Sequence, residues 1–166
     1  MSGVLAGAAG TTALNAVTYL DMVLRARPAS STPEDTVRKI ENVTHLPLSA
    51  DGPDSEAAAN RREGLGALLG IATGLGVGAV YGLVRPRLGR EVPLPLLALG
   101  AGLLANVGTV APMAVLGVSD PRTWSAADWI SDLVPHLAYG AVTALVFEGL
   151  APPPRRRRRL GLRIRS

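Results

Sequence analysis

The 166-residue sequence has no cysteine, so it can hold neither a disulfide framework nor a thiolate site. It has one phenylalanine, Phe147, and aromatic residues make up only 4% of the chain. A water-soluble core of this size draws much of its buried area from aromatic side chains, and that source is missing. There are two histidines, His45 and His136, and no repeated ligand spacing. No metal site is expected, and bis-histidine haem ligation would have to draw on His45 in a polar stretch. No nucleophile stands beside a base with a supporting third group, so the chain reads as a non-enzyme without a cofactor. Lysine is nearly absent: Lys39 is the single one among 17 basic residues. With abundant Ala, Gly and Pro, that bias reads as coding from a GC-rich bacterial genome.

What the sequence has is long apolar runs. The hydrophobic fraction is 48%, with 19 glycines, and charges hardly interrupt four segments. They cover residues 3–24, 65–84, 94–118 and 129–150. About 20 apolar residues at ~1.5 Å per residue span a hydrocarbon layer of about 30 Å, and a spanning segment must satisfy its backbone as a helix. The expected fold is therefore all-α: an integral membrane bundle of about four transmembrane helices, forming one domain over residues 1–153. The first segment contains Thr11, Thr12, Asn15 and Thr18 and ends at Asp21. Its positive charges, Arg25 and Arg27, follow the apolar run instead of preceding it, which argues against a cleaved signal peptide.

The loop over residues 25–64 is polar, and one short amphipathic helix is expected there, from about Pro33 to Val43. Thr32 is placed to cap it, Pro33 suits the first turn, and Glu34 and Asp35 complement the helix dipole. Val37, Ile40 and Val43 or Thr44 share one face. Ser125 with Asp128 three residues on forms a capping-box pattern for the last helix.

Basic residues set the expected topology. Arg85, Arg87, Arg90 and seven tail arginines would lie on one side. Arg25, Arg27, Arg38, Lys39, Arg61, Arg62 and Arg122 would lie on the other. The excess places both termini in the cytoplasm of a bacterial cytoplasmic (inner) membrane. Trp124 and Trp129 then sit together at the outer interface. The net charge of +4 is no nucleic-acid footprint, because ten of the basic residues simply flank apolar runs. The tail over residues 154–166 carries Arg155, Arg156, Arg157, Arg158 and Arg159 behind a proline spacer. It reads as a topology anchor on anionic lipid headgroups.

Two patterns carry functional expectations. Gly66, Gly70, Gly74, Gly78 and Gly82 recur every four residues, and Gly3 and Gly7 repeat the spacing in the first helix. Glycine weakens an aqueous helix by about 1 kcal/mol relative to Ala, so the row needs a packing reason. That reason is close helix approach, within one bundle or across a homo-oligomer seam. Polar residues inside spans default to function, and here they are Asn15, Asp21, Asn106, Asp132, His136, Thr143 and Glu148. Asp128, Asp132 and His136 fall at steps of four on one helix face, with Tyr139 continuing that side. Asp21 is expected at the same depth. The cluster Asp21, Asp132, His136 and Tyr139 could relay protons, bind a small cation, or simply hydrogen-bond across helices. Asn15 and Asn106 are expected to bond across helices, and Pro112 and Pro135 to kink their own.

Three stretches resemble the DUF1440 (YagU-like) family of small bacterial inner-membrane proteins. One is the Gly/Ala-rich first helix with Arg27-Pro28 and the Pro33-Glu34 start; another is Gly74-x-x-x-Gly78-Ala79-x-Tyr81-Gly82; the third is His136-x-x-Tyr139-Gly140. They cover about half the chain, and the polyarginine tail departs from the family pattern. The resemblance implies membrane location, and the family's link to acid tolerance points toward His136. The leading expectation is a packing, assembly or envelope-physiology role; the rival is a small proton or cation transporter or channel subunit.

Overall fold

The computed structural model describes residues 1–89 and 91–150. The expectations for Arg90 and for the arginine tail, Arg155 to Arg159 included, lie outside the described residues. Five α-helices follow in order: α1 (Ser2–Arg25), α2 (Thr32–Thr44), α3 (Glu56–Val84), α4 (Leu94–Val115) and α5 (Ala126–Leu150). Among the described residues there is no strand.

The ends of these helices follow local chemistry. Ser55 accepts a hydrogen bond from the Ala58 amide at 3.2 Å and starts α3 well before the apolar run. α4 starts behind Pro93 and stops before Gly117, whose φ of +68° favours glycine. The Val118 amide then reaches back to the Met113 carbonyl at 2.9 Å, closing the helix end three residues short of the expected Val118. At α5 the capping box forms as the spacing suggests. The Ser125 and Asp128 side chains each accept from the other's backbone amide, at 3.2 and 2.9 Å. α2 starts one residue before expected, with Ser31, not Thr32, at its N-cap.

α1, α3, α4 and α5 form an up–down–up–down bundle. Gly3 lies against Gly82 and Gly7 against Gly78, so α1 and α3 run antiparallel. Ala6 meets Thr143 and Arg25 meets Ser131, setting α5 antiparallel to α1. Asn106 meets Asp132 while Gly102 meets His136, which does the same for α4 and α5. Residue 1, the α3–α4 turn and Leu150 therefore share one end of the bundle, the terminal end. Arg25, α2 and the α4–α5 turn share the other, the loop end.

Among the described residues three helices are long and apolar enough to cross a membrane: α3 counted with its 3-10 extension (Glu56–Arg87), α4 and α5. The expectation of four such spans meets a difference at α1. Its 24 residues suffice in length, but Thr11, Thr12, Asn15, Thr18 and Asp21 dilute its apolar character. Thr11 and Thr12 return their hydroxyls to the Gly7 and Ala8 carbonyls at 2.8 and 3.0 Å, so neither leaves a free donor on the helix surface.

Aliphatic side chains cover the outside of the bundle: Leu5, Leu20, Leu68, Leu83, Leu96, Leu103, Val107, Ile130, Val134 and Leu145 are all exposed. Such a belt is foreign to a water-soluble monomer. The interior is built from small residues. Ala6, Ala58, Ala101, Ala105 and Ala144 are buried. Two small clusters, Tyr81–Leu97–Ala101–Ala144 and Val77–Ala105–Tyr139, fill the space between the helices.

The loop-end segment has its own core. α3 is 29 residues, about 43 Å at ~1.5 Å per residue, so its polar first turns project beyond the apolar part. α2 packs along that projection. Pro33 touches Gly66, while Glu41 takes both the Nε and Nη2 of Arg62, at 2.9 and 2.7 Å. The other Glu41 oxygen accepts from the Leu48 amide at 2.9 Å. Consequently the buried side of α2 is Thr36, Val37 and Glu41. The expected apolar face holds only in part, because Ile40 and Val43 are exposed. A buried ion pair, not the aliphatic spacing, decides how α2 is rotated.

Candidate functional site

The glycine row of α3 meets the rest of the chain at four of its five positions. A Cβ added at Gly78 would stand 2.5 Å from Gly7 Cα, and one at Gly82 would stand 2.8 Å from Gly3 Cα. At Gly74 it would collide with the Thr11 side chain, and at Gly66 it would stand 3.0 Å from Pro33. Gly70 is the exception: a Cβ there meets open space. The row therefore packs on α1 and α2 of its own chain, so that face is already occupied within a single copy. A second close approach, not foreseen in the sequence, joins α4 to α5. A Cβ on Gly140 would fall 2.7 Å from Gly102 Cα. Its only sequence signal is the Ala98, Ala101, Gly102 cluster in α4, which the longer α3 row overshadowed.

The polar residues resolve into three groups. At the loop end, Asp21 of α1 is held by Arg25 at 2.6 Å and Arg27 at 2.5 Å, and Arg25 also reaches Ser131 of α5. At the terminal end, Arg85 donates to Glu148 at 2.6 and 3.2 Å, tying the end of α3 to α5. Between them lies the group centred on His136, which is 8% exposed.

That central group draws on two helices. Asp132 and His136 are one turn apart on α5, and Asn106 and Thr109 face them from α4. Asn106 donates its amide to Asp132 Oδ2. His136 Nδ1 lies 2.7 Å from the Asp132 backbone carbonyl and 3.6 Å from its carboxylate. His136 Nε2 lies 3.2 Å from Thr109 Oγ1. Thr109 Oγ1 is in turn 2.9 Å from the Asn106 carbonyl. The structure thus brings Asp132 and His136 together and adds Asn106 and Thr109, whereas the recorded partners of Asp21 are Arg25 and Arg27. Tyr139, 1% exposed, sits one turn below, and its hydroxyl donates to the Gly74 carbonyl of α3 at 2.6 Å. Tyr139 is a structural bridge to α3 and the floor of the polar group. Both proline expectations fall near this layer: Pro112 and Pro135 lie inside α4 and α5.

The polar group has its more exposed member, Asp132, on the side of the loop end. Below it, Leu14, Val77, Ala105 and Tyr139 close the bundle. Above it, Asp132 keeps 21% of its side chain exposed, as does Asp21. Chemically, the array offers one carboxylate, one imidazole and one hydroxyl in a chain of hydrogen bonds. Among the described residues no cluster of three or more metal-ligating acidic or imidazole groups occurs.

Outside the apolar part, Glu41 is a carboxylate held through both of its oxygens. The Leu48 amide and then the Arg62 guanidinium keep it below the ordinary glutamate range. Sequence reading missed this pair because its members lie 21 positions apart on two helices.

Comparison with protein-family models, with curated proteins and with solved structures found no match.

Proposed function

We propose that the chain is a four-span protein of a bacterial cytoplasmic membrane, α1, α3, α4 and α5 crossing it, with both termini in the cytoplasm. Its role is structural or assembly-related within the envelope and not enzymatic. The observation that carries this reading is the interior of the terminal half. Backbones meet at Gly3, Gly7, Gly78 and Gly82, and again at Gly102 and Gly140, in a glycine-zipper style of packing. α1 belongs with the spans because it is wedged between α3 and α5, and its Thr11 and Thr12 hydroxyls bond within the helix. Arg85 and Arg87 lie at the same end as both helical termini, which supports a cytoplasmic terminal end. The arginine tail then meets anionic headgroups there. Deleting the protein should sensitise cells to osmotic and detergent stress; unchanged envelope behaviour would overturn the role.

A second reading is favoured by one observation, the hydrogen-bonded Asn106–Asp132–His136–Thr109 array inside the apolar layer. There the protein takes up a proton or small cation from the loop end, as a homo-oligomeric subunit of a transporter or channel. Since the glycine face of α3 is filled, such an oligomer would use the lipid-facing aliphatic surface. Flux into liposomes should drop on His136→Ala; no flux in either protein eliminates this reading.

A further inference from the structure

We infer that the array is a one-proton site with a fixed polarity: His136 is loaded at Nε2, and Thr109 is the positioning residue that admits the proton. The inference deepens the second reading above and rests on it. It follows from which atoms can donate. The Asp132 carbonyl oxygen can only accept, so the 2.7 Å contact requires the hydrogen to sit on His136 Nδ1. In the neutral ring Nε2 is then a bare lone pair. It points at Thr109 Oγ1, 3.2 Å away, the donor within reach, whose one hydrogen then turns from the Asn106 carbonyl to the ring. This is the less common tautomer of a free imidazole, and two backbone and hydroxyl partners select it.

Protonation reverses the Thr109 contact. Once Nε2 carries a hydrogen, it donates to Thr109 Oγ1, and the hydroxyl hydrogen must turn elsewhere. The Asn106 carbonyl at 2.9 Å and the Ala105 carbonyl at 3.3 Å are the acceptors within reach. The step balances: the hydroxyl hydrogen passes to Nε2, and a hydronium from the loop end restores the hydroxyl and leaves as water. Asp132, 3.6 Å from Nδ1, then faces a cationic ring. It is the one charged group facing His136 from its own helix. α4 offers Asn106 and Thr109, both neutral, and α3 contributes the Val77 layer. The nearest α1 charges, Asp21 and Arg25, satisfy each other and Ser131. Loading is therefore felt by the α4 backbone at Ala105 and Asn106, about two turns before Pro112.

The test uses the full chain in lipid nanodiscs with ring nitrogen-15 labelling and His45→Gln, which leaves His136 as the one histidine signal. Spectra are followed between about pH 4 and 9, where an imidazole changes charge. The expected neutral form has its hydrogen on Nδ1, and the Asn106 and Thr109 amide signals move with the same titration. Thr109→Ser should keep both that tautomer and the Asn106 response; Thr109→Val, with helical content retained, should keep the hydrogen on Nδ1, which the Asp132 carbonyl imposes, but lose the Asn106 response to the titration. A titrating His136 with its neutral hydrogen on Nε2, or a Thr109→Val protein in which the Asn106 signal still moves, overturns the inference and leaves the second reading standing. A His136 that does not titrate at all overturns both.

Discussion

Gly78 and Gly70 sit two turns apart on one helix yet face opposite fates. At Gly78 any side chain would drive into the α1 backbone at Gly7, which cannot yield as a flexible side chain would. Gly78→Ala should destabilise the bundle by about 1–3 kcal/mol, the usual range for overpacking a tight interior. Gly70→Ala meets open space and should be neutral or stabilise by up to about 1 kcal/mol through helix propensity alone. Denaturation in mixed micelles measures both, and equal effects would contradict the packing described. Glu41 offers a second contrast at this scale. Its carboxyl is held below the ordinary value of 4.5 in the folded state, so its stabilising contribution is complete above that value. The contribution is lost as pH falls through the lowered folded value. The Leu48 amide should accordingly lose protection in acid, measured against its intrinsic exchange rate at each pH, and in Glu41→Gln it should be less protected at neutral pH already. Protection that is high and the same at every pH would exclude this role.

At the scale of elements, α2 shows how one ion pair can override an aliphatic pattern. The spacing of Val37, Ile40 and Val43 suggests one apolar face, but Arg62 reaches α2 from α3 and turns Glu41 inward. Breaking that link with Arg62→Ala should free α2 and its flanking loops while leaving the bundle intact. Limited proteolysis should then cut within residues 26–55 and spare α4 and α5. Cuts throughout the chain would mean that the loop-end core is not a separate unit. The start of α3 is set as locally as its tilt is set remotely. Ser55→Ala removes the acceptor for the Ala58 amide and should lower stability by about 1 kcal/mol, read as fraying of the first turn by hydrogen exchange.

For the whole molecule, the decisive property is where its apolar surface lies. Leucines and valines point outward while alanines and glycines fill the inside, the reverse of an aqueous globule. The protein should partition entirely with membranes, and extraction should require detergent. Reporter fusions at both ends should give cytoplasmic signals. A fusion after Gly52, at the loop end, should give an external one. A cytoplasmic signal at Gly52 would refute the orientation.

Much of this architecture was legible in the sequence because it depends on local causes. The presence of a helix, the Ser125–Asp128 cap and the glycine spacing can be read within a few residues, so their patterns survive without coordinates, although α3 starts at Glu56 and α4 ends at Val115, away from the expected bounds. Composition alone dictated an all-helical chain with lipid-compatible runs. Tertiary structure decided what composition cannot encode. The α4–α5 approach at Gly102 and Gly140, the Glu41–Arg62 pair and the Arg85–Glu148 pair each join residues distant along the chain. So does the contact between Thr109 and His136, which sets the hydrogen positions of the polar array. These depend on the relative rotation and depth of packed helices, which are fixed only when every helix finds its neighbours at once.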